Sequence, residues 1–218
     1  MDTINILQKI IIYAIPILFA IIIHEVAHGW VASKLGDPTA KMLGRLTLNP
    51  IKHIDLVGTI IVPGILLFLG GFIFGWAKPV PITWQNLKNP KRDTALVAIA
   101  GPASNFLMAF FWAFITKWGY ALQFSSPKLA TILVMMGGMG IMINIVLMLL
   151  NLIPIPPLDG SRVVSSFLPG PLAYQYNKIE SYGFIILIAL LATGVLNKIL
   201  APAIAIVAEW ITGIFGLV

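Results

Sequence analysis

The sequence contains no cysteine, and charge is sparse: 10% of its 218 residues are Asp, Glu, Lys or Arg. Without cysteine there is no disulfide framework, and no thiolate can serve as nucleophile or metal ligand. Soluble domains carry roughly 25% charged residues. A chain this poor in charge, with 59% hydrophobic residues and a mean hydropathy of +0.95, cannot hide its apolar surface as a globule in water. The same composition excludes disorder. An all-α, polytopic transmembrane bundle remains.

A dense basic patch is also missing. The net charge is +6, but the 14 Lys and Arg residues are scattered between apolar runs, so nucleic acid is not an expected partner. The pattern fits the positive bias of cytoplasmic membrane loops. The first 23 residues do not read as a signal peptide. Asp2 is acidic, no basic stretch precedes the apolar run, and no small-residue cleavage site follows it.

Apolar runs, the first five free of formal charge, mark five to six candidate segments. They are Ile10–Ile23 (continuing as helix to about Ser33), Leu56–Ala77, Thr94–Thr116, Leu129–Leu158, Ser181–Asn197 and Ile199–Val218. About 20 apolar residues cross a bilayer as helix. Pro154, Pro156 and Pro157 should end the fourth helix near Ile153. The last run, with Pro202 and Glu209, reads as a span or as an interfacial helix. Lys34, Lys41, Arg45 and Lys52 precede the second run, and Lys78, Lys88, Lys91 and Arg92 follow it. Both clusters favour the cytoplasmic side, which one simple crossing cannot satisfy. Pro63-Gly64 and Gly70-Gly71 are breakers that suit a re-entrant hairpin. Lys78–Thr83, with Pro79 and Pro81, is expected to be a short extended segment of β type at the membrane, able to pair with an unwound substrate.

Eight acidic residues are present, and two interrupt apolar surroundings, Glu25 and Asp159. An ionisable residue inside a membrane run costs several kcal/mol and calls for a functional reason. Glu25 lies in His24-Glu25-Val26-Ala27-His28, an H-E-x-x-H pattern that holds two of the chain's three histidines. On a helix, i and i+4 share one face, so both imidazoles can reach one ion at about 2.0–2.1 Å. Glu25 projects about 100° away, which suits a base better than a third ligand. The third ligand has two candidates. His53 sits in a polar loop where a capping role is the simpler reading. Asp159 follows Asn151-Leu-Ile-Pro-Ile-Pro-Pro-Leu, an extended segment that must face protein or a cavity at membrane depth. A helix N-cap is the alternative for Asp159.

Taken together, H-E-V-A-H on an apolar helix, Gly101-Pro102-Ala103-Ser104-Asn105, and Asn151 to Gly160 resemble the site-2 protease family of intramembrane zinc metalloproteases. Gly44–Pro50 and Gly75–Pro81 resemble its short bacterial and archaeal branch. The resemblance implies one metalloprotease domain over 1–218, with a catalytic core of about 10–165 and C-terminal helices over about 172–218. It implies one Zn²⁺ held by His24, His28 and Asp159, Glu25 as base, and Asn105 as an amide holding substrate or oxyanion. Its substrate class is a transmembrane protein in the lipid of the cell membrane. An adaptor protein is a further expected partner, since no PDZ insertion or CBS domain is recognisable. A metal-ion transporter and a non-catalytic membrane chaperone are the alternative readings.

The three ligands can meet only if the first and fourth helices point the same way. The region 35–93 must then return the chain to the side it left. This favours the hairpin and places the site nearer the cytoplasmic face.

Overall fold

The computed structural model describes residues 5–62, 64–65 and 77–217. Four of its helices are long and apolar enough to cross a membrane: α1 (Ile6–Leu35), α3 (Pro90–Ala121), α4 (Pro127–Asn151) and α8 (Val195–Phe215). Shorter helices are α2 (Thr39–Met42), α5 (Asp159–Phe167), α6 (Gly170–Asn177) and α7 (Glu180–Ala192).

Local chemistry sets the ends of the spans. Asn5 and Gln8 form a reciprocal capping box at the start of α1. Gly36 closes that helix at φ 120°, a left-handed conformation that glycine adopts at little steric cost. Prolines open α3 and α4 at the first helical position, where the missing N–H has no helical partner to lose.

Two sets of contacts give the helix directions. His28 and Asn105 bond to the Val97 and Ala20 carbonyls, so rising numbers on α3 meet falling numbers on α1. Asn105 bonds Asn144, and Trp112 and Thr116 lie where side chains at Gly140 and Gly137 would stand. Each pair is therefore antiparallel, and α1 and α4 run the same way, as the ligand spacing required.

Lipid offers no hydrophobic drive between helices, so close packing of small residues must hold them. Ala20, Ala98, Gly101, Ala109, Ala113, Gly137 and Gly140 are all buried along these contacts. Helix α8 covers α3 and α4 through Ile211 and through Trp210, which stacks on Phe106 at 6.1 Å. Outward residues such as Leu107 and Phe114 stay 67% and 57% exposed, the expected state of a lipid-facing surface.

Several expectations change here. The fifth run is broken at Gly194, φ 72°, into α7 and the start of α8. At 13 residues α7 is about 20 Å long, short of the ~30 Å hydrocarbon core. Helix α8 takes up the sixth run as a full-length span. Among the described residues four helices are therefore long enough to span, and the second of the five to six expected segments lies mostly outside them. No β-strand is found among the described residues, and Lys78–Thr83 is extended without a ladder partner. Most of the proposed hairpin, including Pro63 and Gly70-Gly71, lies outside the described residues. Its flanks are described: the Lys78 N–H donates to the His53 carbonyl at 2.9 Å, so the two ends of that run meet.

The segment after that run forms a strap across the end of α1. The Arg45 guanidinium donates to the Lys78 and Pro79 carbonyls at 3.0 and 3.3 Å. Asp37, fully buried, accepts from the Thr83 N–H at 2.8 Å, from the Asn86 amide at 3.0 Å, and from both donors of Thr39. Burial alone would raise the Asp37 pKa, but the bonds from Thr39, Asn86 and Thr83 outweigh it and hold the carboxyl below the usual carboxylate range.

Three substitutions test these contacts. Gly137→Ala places a methyl 2.0 Å from Thr116 Oγ1 and 3.0 Å from the Thr116 backbone nitrogen. It should cost about 1–3 kcal/mol in unfolding experiments in detergent. Gly138→Ala meets nothing within 4 Å and should be neutral or stabilising by up to about 1 kcal/mol. A depressed folded pKa makes the Asp37 contribution full above the unfolded value of about 3.9 and lost as pH falls through the folded value. Asp37→Ala should therefore lower the unfolding temperature clearly at pH 7, and the gap to wild type should close under acid conditions.

Candidate metal centre

The H-E-x-x-H segment lies in the C-terminal half of α1 and faces α3. His24 and His28 are each 7% exposed. Their inner nitrogens are both fixed from behind. His24 Nδ1–H donates to Asn105 Oδ1 at 2.6 Å, and His28 Nδ1–H donates to the Val97 carbonyl at 2.7 Å. In neutral rings the proton on Nδ1 leaves a lone pair on Nε2.

Those two lone-pair nitrogens face each other at 3.0 Å. The chain returns from the end of α4 through a proline-rich turn, and α5 begins at Asp159 itself, with Leu158 as its N-cap. Asp159 is thus inside the helix rather than its cap. Its Oδ2 lies 3.2 Å from His24 Nε2 and 3.3 Å from His28 Nε2, buried and without a hydrogen-bond donor. The ionised carboxylate is the form a metal ligand needs.

Three electron-rich atoms at this spacing repel one another unless a cation lies between them. Tetrahedral ligands about 2.0–2.1 Å from a common zinc sit roughly 3.3 Å apart, which matches these separations. The donor set of two imidazoles and a carboxylate is a catalytic zinc set that leaves a fourth position open. Gly101 on α3 makes room for it. A Cβ there would stand 2.3 Å from His28 Nε2 and 2.5 Å from His24 Cε1. Among the described residues, His24, His28 and Asp159 are the one group of three such side chains whose donor atoms all lie within 4.8 Å of one another.

The group opens on a cavity of about 290 Å³. Glu25 lines it, and one carboxylate oxygen accepts the Val80 N–H from the strap at 2.8 Å. Gly29 lets the strap come this close, since a Cβ there would lie 2.6 Å from Val80 Cγ1. Trp84 and Arg162 also line the cavity, with the guanidinium 4.9 Å over the indole ring.

His53 stands apart from the cluster, buried in its loop with Nε2 bonded to the Thr47 carbonyl at 2.8 Å. Asn105 is fully buried and does not line the cavity. Its amide donates to the Ala20 carbonyl and to Asn144 Oδ1, so no donor is left for an oxyanion. The carboxamide that does line the cavity is Asn151, passed over in the sequence except as the start of its motif. Its position eight residues before Asp159 was the available signal. Arg162, one helical turn beyond Asp159, had no signal of its own.

The model of peptidase family M50 matches residues 12–193, a range that includes all five residues singled out above. The chain is 40% identical over 190 residues to YwhC of Bacillus subtilis, covering 86% of this chain and 83% of the relative, which is named a zinc metalloprotease. It is 29% identical over 201 residues to Rip2 of Mycolicibacterium smegmatis, covering 90% and 74%, and 27% identical over 182 residues to Rip2 of Mycobacterium tuberculosis, covering 83% and 66%; both carry the same description. No solved structure matches the chain. The lone-pair cluster and the family match agree: this is a multi-pass membrane protein with zinc as its cofactor, a zinc metalloendopeptidase that belongs to peptidase family M50 and the site-2 proteases.

Proposed function

We propose that the chain is an intramembrane protease that hydrolyses a peptide bond within or near the transmembrane segment of another membrane protein. The observation that carries this reading is the convergence of His24 Nε2, His28 Nε2 and Asp159 Oδ2 between apolar spans, beside a cavity that also holds Glu25. His24, His28 and Asp159 hold the zinc. Bound there, Zn²⁺ supplies Lewis-acid chemistry, polarising a carbonyl and acidifying water. Glu25 takes the proton of the attacking water and passes it to the leaving amine nitrogen. The Val80 N–H holds one oxygen of that base in place. Asn105 orients His24, and Asn151, on the cavity wall with one amide proton donated to the Leu147 carbonyl at 3.0 Å, offers its second to an oxyanion.

The substrate helix must unwind before its peptide bonds are open to attack. The extended strap at Pro79–Ile82 lies on the cavity and offers backbone to such a strand. The cytoplasmic orientation rests on charge. The His53–Lys78 bond brings the ends of the second run together, so both basic loops lie at the end of α1 that carries the site. That placement supports a site nearer the cytoplasmic face of the cell membrane. A transport path would need exchange ligands, and no second three-donor group is found among the described residues.

Reconstituted protein and a single-pass test substrate check the reading. Glu25→Gln should keep its zinc and lose about 10²–10⁴-fold in cleavage rate. Wild-type turnover in that variant would remove Glu25 from the reaction. Gly101→Ala should drive a methyl into both imidazoles and leave the purified protein with much less than one zinc per chain, read by elemental analysis. Full metal content there would mean that the imidazoles are not the ligands.

A further inference from the structure

Behind His24 lies a chain of polar side chains that runs across three spans. Asn105 on α3 and Asn144 on α4 are both fully buried. Two carboxamides between apolar helices are costly unless every donor and acceptor is used. Each bond has a fixed direction. The Asn144 amide donates to the Gly140 carbonyl at 2.8 Å, and a carbonyl can only accept. That orients the Asn144 side chain, so its Oδ1 accepts from the Asn105 amide at 2.9 Å. A second carbonyl, that of Ala20, takes the other amide proton at 3.1 Å. With both protons committed, Asn105 can show His24 only an acceptor, Oδ1, at 2.6 Å.

We propose that Asn144 is a positioning residue for the metal centre: the relay Gly140 carbonyl, Asn144, Asn105 fixes the His24 tautomer with its proton on Nδ1 and its Nε2 lone pair toward the metal. Neither residue touches the metal or the substrate. If Asn105 turned its amide to His24, Nδ1 would have to accept, and the proton would move to Nε2, where it blocks binding. Asn144 and the Ala20 carbonyl together prevent that turn, and the Asn144 bond is the shorter of the two, 2.9 against 3.1 Å. His28 needs no such relay, because a backbone carbonyl cannot turn round; its Nδ1 is held by Val97 directly. The inference rests on the proposed role of His24 as a zinc ligand.

The test uses the full chain purified in detergent. Zinc affinity is read by competition with a chelator of known affinity, and site geometry by the visible absorption of the Co²⁺-substituted protein. Asn144→Leu keeps the branching of the side chain and removes the relay. It should weaken zinc binding about 10–100-fold, the usual effect of losing a partner behind a ligand, and alter the Co²⁺ spectrum. Asn144→Asp in its neutral form donates to Gly140 and accepts from Asn105 with the same two atoms, so it should restore both readouts. A folded Asn144→Leu with wild-type affinity and spectrum, or an Asp variant no better than Leu, overturns the relay. Should Asn144→Leu not fold, ¹⁵N NMR of histidine-labelled, zinc-loaded wild type decides. With three histidines in the chain the signals are few. A proton on His24 Nδ1 with Nε2 on the metal supports the relay, and the reverse overturns it. His24→Ala separates the two levels: if it binds zinc as tightly as wild type, the ligand assignment itself fails.

Discussion

With their protons on Nδ1, two imidazole nitrogens face each other and a carboxylate oxygen 3.0–3.3 Å apart at the wall of the cavity. That arrangement is unfavourable without a cation, and the rest of the core makes sense as what imposes it. His28 is fixed by the backbone of α3, His24 by a carboxamide of α3 that is itself fixed from α4. Asp159 arrives from the far end of α4 on a rigid turn. Gly160 lets that turn close up, since a Cβ there would lie 2.3 Å from the Leu152 carbonyl oxygen. Antiparallel packing of α1 on α3 and of α3 on α4 brings the C-terminal parts of α1 and α4 to the same level. Reverse one helix and the histidines and the carboxylate sit at opposite faces of the membrane.

The site and the helix packing draw on the same residue type for the same reason. In lipid the helices gain nothing from hiding apolar surface from one another, so contact quality decides. Small residues allow it. At Gly137 and Gly140 the vacant Cβ positions are filled by Thr116 and Trp112. At Gly101 the vacancy is filled by two imidazoles. The seam between α1 and α3 thus becomes a metal site where the packing leaves space that polar rings can occupy.

Much of this was legible in the sequence because chemistry that is costly in lipid leaves a mark. The i, i+4 histidines, the glutamate beside them and the aspartate after three prolines stand out against an uncharged background, and the parallel sense of α1 and α4 followed from their need to meet. Other parts were hidden. Asn105 was visible through its motif, but a carboxamide does not say which partner it will take, and the helix behind it makes it face His24 instead of the cavity. Asn144 lies in a run read only as apolar, with no partner apparent until α3 is laid against α4. The break at Gly194 was missed because a left-handed glycine between two apolar stretches looks the same in hydropathy as a glycine inside a helix. The strap reads as a strand by composition, yet its bonds go to Glu25, Asp37 and Arg45 instead of to a sheet.

The strap links the site to polar chemistry beyond the spans. Pro79 and Pro81 have no N–H, so within Pro79–Pro81 Val80 alone can donate from the backbone, and it donates to Glu25. A hydrogen bond to a carboxylate away from bulk water is strong, and it fixes where the base sits relative to the cluster. The strap is in turn located by Asp37, which follows the end of α1, and by Arg45, in the loop after α2. A half-buried guanidinium and a buried carboxylate beyond the end of α1 therefore set the position of Glu25, the proposed base. The proposed donor atoms come from α1 and α5, whereas the proposed base depends on loop anchors, so on this reading metal binding and proton transfer have separable supports. Damage to the anchors should then spare the metal and misplace the base, whereas damage to the α1–α3 seam should lose the metal first.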